Sequence, residues 1–173
     1  MCIRDSYMTD KRFDEISAKV RLSYPNACIL FIDEVNNFEL NEAYNNRKQQ
    51  IVEKRNEVTE MQLFHGTHAD LIDKIAQEGF DPKKSVVAAF GPGTYFATTA
   101  KYSFHYMKST DRSGISYMFL ADVLIGKKVF YHHGIADFDN YVDNLNTPSI
   151  IVSPYHDGAF PRYVIAFHKN ASM

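Results

Sequence analysis

The chain has 173 residues, of which 45% are hydrophobic and 23% charged, with a formal net charge of −2 at pH 7. This is the composition of an ordinary soluble globular protein, and so small a charge excludes a strong general attraction to nucleic acid or membrane surfaces. The two cysteines, Cys2 and Cys28, exclude a disulfide framework and a cysteine-rich zinc site. No apolar run reaches the ~20 residues that a membrane-spanning helix needs, and no cleavable signal is visible. We therefore expect a soluble intracellular protein, cytoplasmic or nuclear.

The first residues, MCIRDS, fit no pattern in the rest of the chain and resemble the translated remnant of an adaptor. We expect residues 1–7 to be a non-native leader, with Met8 as a plausible native start. Residues 8–173 contain no repeat, linker or low-complexity tract, so we expect them to form one domain.

The first third of the chain alternates between helical and strand patterns. Apolar residues near helical spacing, among them Ile16 and Val20, predict a helix over 10–23. A buried strand is predicted at 27–35, and a long polar helix with a solvated face at 38–58.

A strand followed directly by a helix is predicted next. MQLFHG, at 61–66, is typical of a strand, and Thr67 and Asp70 have the spacing of a capping box that starts a helix. Gly79 is placed to end that helix in a left-handed conformation. The glycines and prolines that follow predict a loop over 81–93.

The remaining patterns predict more strands than helices. The predicted elements are a short strand at 94–97, a helix at 98–109, a central strand at 115–126, a loop at 138–148 and two final strands at 149–155 and 162–169. The last two strands are close enough in sequence to pair antiparallel. Taken together, these elements predict an α+β fold.

Two stretches carry residues suited to a ligand site. Gly66 has no side chain, so a ligand can approach its backbone N–H and C=O closely, and the neighbouring His65 can bond a hydroxyl. Ser103 and Tyr106 are three residues apart and share a helix face, and Tyr95 precedes them on a strand. This set suits a flat ring that carries a carboxamide, such as nicotinamide, although the same residues are also compatible with ordinary packing.

The order and spacing of five motifs resemble the catalytic domain of the poly(ADP-ribose) polymerase family, the diphtheria-toxin-like ADP-ribosyltransferases. The motifs are HGT, GTYFA, KYSFHY, DNYVDN and GAFPRYVI, and the resemblance runs from about residue 12 to residue 169. It is nearest to the branch that transfers a single ADP-ribose. The resemblance implies an ADP-ribosyltransferase fold, with two packed antiparallel sheets flanked by helices, and NAD as a substrate rather than a bound cofactor.

The resemblance also implies a role for each matching residue. His65 would bond the 2′-hydroxyl of the adenine ribose of NAD. Gly66 would bind the nicotinamide carboxamide through its backbone, and Ser103 would bind it through its hydroxyl. Tyr106 would stack on the nicotinamide ring, and Tyr95 would close the other side.

The loop 81–93 would be the donor loop, which lies over the dinucleotide. Two of its residues, Lys83 and Lys84, could approach the pyrophosphate or could be solvated surface lysines. GPGTYF within this region is not the glycine-rich dinucleotide fingerprint, because it lacks the spaced third glycine and the acidic residue that should follow.

The position of the family's catalytic glutamate falls at Ile150, so the triad would consist of His65, Tyr95 and Ile150. A shift of one residue would place Ser149 or Ile151 there instead, and none of these is acidic. In the family, a hydrophobic residue at this position accompanies transfer of a single ADP-ribose or loss of activity. We therefore expect an NAD-dependent mono-ADP-ribosyltransferase, and the alternative is an inactive NAD-pocket domain that acts as a binding module.

Few partners and no metal site are expected. The expected acceptor is a protein side chain, a nucleic-acid end is a possible but unsupported acceptor, and no membrane partner is expected. No metal site is expected either, because the adjacent His132 and His133 lack acidic or cysteine partners at metal-ligand spacing.

Overall fold

Nine strands in one sheet form the centre of the computed structural model, which describes residues 3–5, 10–85, 89–107 and 110–168. The strands are β1 (Ile3–Asp5), β2 (Ile29–Asn36), β3 (Thr59–Gly66), β4 (Thr94–Ala97), β5 (Ile115–Ile125), β6 (Lys128–Val129), β7 (Asn140–Val142), β8 (Ile150–Ser153) and β9 (Ala159–His168). Their order across the sheet is β1-β2-β9-β5-β3-β4-β8-β7-β6. Neighbouring strands are antiparallel except for β6 and β7, which are parallel.

Four α-helices accompany the sheet in the described part of the chain. They are α1 (Asp10–Arg21), α2 (Phe38–Arg55), α3 (Ile72–Glu78) and α4 (Ala100–Phe104), and short 3₁₀ turns lie at Ala69–Leu71 and Pro82–Lys84. This mixture of helices and antiparallel strands confirms the α+β class. In the part of the chain that the structure describes, no helix is long and apolar enough to cross a membrane.

The two sheets expected from the sequence are joined into one. A single residue pair, Phe64 with Ala97, links β3 to β4 and so connects the two halves of the sheet. Side chains from both halves, including Phe96 of β4 and Phe119 of β5, belong to the same hydrophobic cluster. The halves therefore share one core, and the ends of β3 and β4 meet where the sheet is most weakly paired.

The predicted pairing of the last two strands is wrong. β8 pairs with β4 and β7, whereas β9 lies between β2 and β5. All four residues of β8 are buried, and so is most of β9, so each strand gains by having a neighbour on both edges. The tight segment 154–158 sends the chain across the molecule instead of folding it back as a hairpin.

Several element boundaries also differ from the sequence prediction. The capping box of Thr67 and Asp70 is wrong, because His68 occupies the N-cap position of a 3₁₀ turn that precedes α3. α4 has 5 residues, fewer than predicted, and it begins after Thr99, whose side chain accepts a hydrogen bond from the N–H of Tyr102. The predicted loop at 138–148 contains β7.

The first residues also take part in the sheet. Ile3–Asp5 pairs with β2 at its outer edge, so these residues adopt structure that the sequence did not predict. This pairing does not test their origin, and the non-native leader stays a prediction.

Candidate functional site

A cavity of about 280 Å³ lies where the ends of β3 and β4 meet α3, the loop 81–93 and α4. Five of the predicted site residues line it together: His65, Gly66, Tyr95, Ser103 and Tyr106. These residues come from three elements that are separated by up to about forty positions in the sequence, so their convergence is a property of the fold.

Gly66 is required by the approach of α4. A Cβ atom at this position would lie 2.0 Å from the carbonyl oxygen of Ser103 and 3.1 Å from Cβ of Tyr106. The space of the missing side chain is filled by the backbone of α4, and the approach of a ligand to the N–H and C=O of Gly66 stays a prediction. Gly66 thus allows Ser103 and Tyr106 to pack directly against the end of β3.

A tight turn brings Ser103 and Tyr106 to the same side of α4. The N–H of Tyr106 donates to the carbonyl of Ser103 at 3.0 Å, which is the i to i+3 pattern of a 3₁₀ turn, in which such residues nearly eclipse. Ser103 is buried at the cavity wall and Tyr106 is half-buried. A hydroxyl and an aromatic ring therefore lie side by side in the cavity wall, and their binding of one ligand stays a prediction.

Tyr102 extends the aromatic side of the wall. Its hydroxyl oxygen lies 3.2 Å from that of Tyr106, and the two ring centroids are 5.5 Å apart. The hydrogen bond with Tyr106, reinforced by burial, raises the pKa of Tyr102 to about 12, so the phenol of Tyr102 stays protonated at neutral pH. Tyr102 lines the cavity, whereas Tyr141 stacks on Phe138 with ring centroids 4.3 Å apart.

His65 is held in one orientation and one tautomer. Its Nδ1 lies 2.8 Å from the carbonyl oxygen of Tyr95, and because a carbonyl can only accept, Nδ1 carries the hydrogen. The ring packs against Phe80 and Phe96, with centroids 5.1 and 5.6 Å away. Burial lowers the pKa of His65, which keeps the imidazole neutral. Its Nε2 is therefore left with a lone pair that can accept a hydrogen bond from a ligand hydroxyl.

Ile150 is not among the described residues that line the cavity. It is 2% exposed and pairs with Ala97 across the antiparallel β4–β8 ladder, in a small cluster that also contains Tyr95 and Val152. Paired residues share a sheet face, so Ile150 lies on the same face as Tyr95, next to the cavity wall. Ile151 belongs instead to the large core cluster.

An aspartate that the sequence assigned only to a loop determines where β8 begins. Oδ1 of Asp143 accepts hydrogen bonds from the backbone N–H groups of Ser149 and Ile150, each at 2.9 Å. Such local bonds between a carboxylate and the backbone are a property of Asp in turns, and the spacing of six and seven residues hides them from motif searches.

The cavity wall also contains residues that sequence reasoning did not assign to a site. The 3₁₀ turn at Ala69–Leu71, the helix α3 and the turn before β9 supply Leu71, Lys74, Ile75, Glu78 and His156. The beginning of the donor loop adds Asp81, Lys84 and Ser85. Ile72, the first residue of α3, is buried in the core, whereas Leu71, which precedes it, is exposed at the cavity. The position of α3 in the sequence could have indicated these residues, because a helix directly after the HGT junction must run back past the end of β3. Of the two donor-loop lysines, Lys84 lines the cavity and Lys83 is not among the described lining residues.

Comparison with known proteins gives the same family that the sequence motifs resemble. Residues 10–141 match the model of the poly(ADP-ribose) polymerase catalytic domain family. The chain is 37% identical over 152 residues to human protein mono-ADP-ribosyltransferase PARP12, covering 79% of this chain and 21% of that protein. It is 28% identical over 185 residues to human protein mono-ADP-ribosyltransferase PARP14, covering 97% of this chain and 10% of that protein. It is 30% identical over 173 residues to human protein mono-ADP-ribosyltransferase PARP11, covering 79% of this chain and 50% of that protein. The chain thus spans between a tenth and a half of the length of these relatives.

Proposed function

Because the chain belongs to the poly(ADP-ribose) polymerase catalytic domain family, we propose that it is an NAD-dependent mono-ADP-ribosyltransferase. In this reaction one ADP-ribose passes from NAD to an acceptor, and nicotinamide is released. The observation that carries the proposal is the single cavity lined by His65, Gly66, Tyr95, Ser103 and Tyr106. The names of the relatives, which describe mono-ADP-ribosyltransferases, support it further.

The nicotinamide end of NAD binds beside α4. A carboxamide offers both a donor and an acceptor, which the backbone N–H and C=O of Gly66 and the hydroxyl of Ser103 can match. The rings of Tyr95 and Tyr106 enclose the nicotinamide ring from its two sides and provide apolar and stacking contacts. The slot excludes water from the bond that must break, which strengthens every electrostatic contact within it.

His65 binds a ribose hydroxyl through Nε2. The Nδ1–H bond to the carbonyl of Tyr95 directs the free lone pair toward the ligand, and the lowered pKa keeps that lone pair available at neutral pH. We assign this hydroxyl to the adenine ribose, which directs the rest of the dinucleotide toward α3 and Lys84 at the other end of the cavity.

The chemical step breaks the bond between C1′ of the ribose and the nicotinamide nitrogen and forms a bond between C1′ and the acceptor. The nicotinamide leaves as a neutral ring with the bonding pair, and an acceptor that carries a proton loses it to the surroundings. The transition state resembles an oxocarbenium ion, as in other glycosyl transfers. A well-placed electrostatic partner of such a charge is worth ~2.7–4 kcal/mol, on the order of 10²–10³ in rate.

Ile150 has no charge and cannot be that electrostatic partner. We therefore assign the partner's role to the acceptor. An acidic acceptor side chain brings its own carboxylate, whereas a ribose hydroxyl does not, so the product is a single ADP-ribose and not a chain. This argument favours a protein acceptor with an Asp or Glu side chain over a nucleic-acid end.

Incubation with labelled NAD and candidate acceptor proteins tests the proposal. The expected result is label attached in single units, lost in His65→Ala and in Tyr106→Ala. His168→Ala is a matched control, because His168 is an exposed histidine at the end of β9, outside the cavity. Stabilisation of the wild-type protein by NAD without any labelling would reduce the function to binding, and ladders of polymer would contradict the assignment of Ile150.

A further inference from the structure

The hydroxyl of Tyr95 forms hydrogen bonds with the donor loop. The N–H of Phe90 donates to the Tyr95 hydroxyl oxygen at 3.0 Å, and the Tyr95 hydroxyl donates to the carbonyl of Gly91 at 2.7 Å. The phenol thus uses both its acceptor and its donor on two consecutive residues of the loop 81–93. Its ring meanwhile lines the cavity.

The same part of the loop is closely packed on its other side. Gly91 has a φ of +107°, and a Cβ there would lie 2.6 Å from Cδ2 of Tyr141 and 3.0 Å from the ring of Tyr131. Gly93 has a φ of +147°, and a Cβ there would lie 2.5 Å from the carbonyl oxygen of Ser153. The end of the loop therefore lies between two aromatic rings of the 131–141 segment and the phenol of Tyr95.

We propose that Tyr95 is a positioning residue for the dinucleotide, whose hydroxyl holds the end of the donor loop against the cavity while its ring contacts nicotinamide. The inference rests on the proposed function, since it concerns how the same cavity holds NAD. The beginning of the loop, at Asp81, Lys84 and Ser85, also lines the cavity. The two hydrogen bonds hold the end of the loop, at Phe90 and Gly91, beside the ring of Tyr95.

The two roles of Tyr95 are separable by ligand size. Nicotinamide fills only the ring slot, so its binding depends on the aromatic ring and little on the loop. NAD extends along the whole cavity, so its binding depends on the loop as well. Burial raises the pKa of Tyr95, and the hydroxyl therefore keeps the hydrogen that it donates to Gly91 throughout the neutral range.

Tyr95→Phe keeps the ring and removes the hydroxyl, and it tests the inference with three measurements. Hydrogen exchange at the Phe90 amide should become faster, because that N–H loses its acceptor. The KM for NAD should rise about 10-fold, as expected for the loss of two neutral hydrogen bonds. The dissociation constant of nicotinamide should change much less than the KM for NAD.

Tyr44→Phe is the matched control. Tyr44 is a buried tyrosine of α2 whose hydroxyl donates to Oε1 of Glu60 at 2.9 Å, and it is not among the described residues of the cavity wall. It should lower the melting temperature but leave the Phe90 exchange rate and the ratio of NAD to nicotinamide affinity at wild-type values.

Unchanged exchange at Phe90 in Tyr95→Phe would overturn the inference. An equal loss of affinity for NAD and for nicotinamide would also overturn it, because the hydroxyl would then support only the ring slot. A wild-type protein that binds no NAD would instead refute the proposed function, and the exchange rate at Phe90 would still decide whether the hydroxyl holds the loop.

Discussion

Gly66→Ala tests how the cavity is built, because the added methyl group has no room. The new Cβ would lie 2.0 Å from the carbonyl oxygen of Ser103, whereas ordinary contacts begin near 3.4 Å. The backbone of α4 must therefore move by about 1.4 Å, or β3 must move away from it. Either movement shifts Ser103 and Tyr106 relative to Gly66.

Gly66→Ala should lose most of its activity while it remains folded. Overpacking of this kind costs roughly 1–3 kcal/mol, which corresponds to a fall of about 2–12 °C in melting temperature for a chain of this size. Misplacement of binding groups by ~1 Å can reduce the rate on the order of 10²-fold. We therefore expect kcat/KM for NAD to fall about 100-fold while the protein still folds, as measured by labelling kinetics and thermal unfolding.

Gly134→Ala is the control for the glycine-to-alanine change itself. Gly134 has a φ of +89°, but nothing lies within 4 Å of its added Cβ, so this variant should lose some stability and keep its activity. Wild-type activity in Gly66→Ala would refute the argument that the close approach of α4 to Gly66 forms the nicotinamide slot.

Three further predictions concern single side chains. Burial lowers the pKa of His65 below its usual value of 6.5, so the unfolded chain binds more protons than the folded chain below about pH 6.5, and the free energy of unfolding decreases as the pH is lowered. His65→Gln should make that decrease shallower in urea titrations at pH 5–7, and an unchanged slope would contradict the prediction. Asp143→Ala should destabilise the protein by ~1.5–3 kcal/mol, because the N–H groups of Ser149 and Ile150 lose a charged acceptor. Asp143→Asn keeps an acceptor oxygen and should cost less. Equal effects of the two variants in chemical denaturation would argue against this role of Asp143. Ile150→Glu places a carboxylate at a position that is 2% exposed and should lower the melting temperature without producing polymer, so long ADP-ribose chains from this variant on a gel would prove the prediction wrong.

The sequence predicted the site better than it predicted the connections of the sheet. His65 and Gly66 could be located because a strand that ends in His-Gly before a helix is a local feature, and Tyr95, Ser103 and Tyr106 lie within one short stretch. Their convergence on one cavity followed from the family resemblance, since spacing alone could not distinguish a ligand slot from ordinary packing.

The parts that the sequence did not predict depend on contacts between distant segments. The pairing of β8 with β4 instead of β9 joins residues more than fifty positions apart, and no local pattern encodes it. The close approach of Ser103 to Gly66 was not predicted either, because it is visible only in three dimensions. Asp143 and the hydroxyl of Tyr95 form hydrogen bonds to backbone groups. Such groups occur in almost every residue, so the sequence does not reveal which residues are the partners.

A crystal structure of the protein soaked with nicotinamide tests the central claim most directly. We predict a ring between Tyr95 and Tyr106, with its carboxamide bonded to the backbone of Gly66 and the hydroxyl of Ser103. Nicotinamide bound elsewhere, or a slot that stays closed to it at millimolar concentration, would contradict the account.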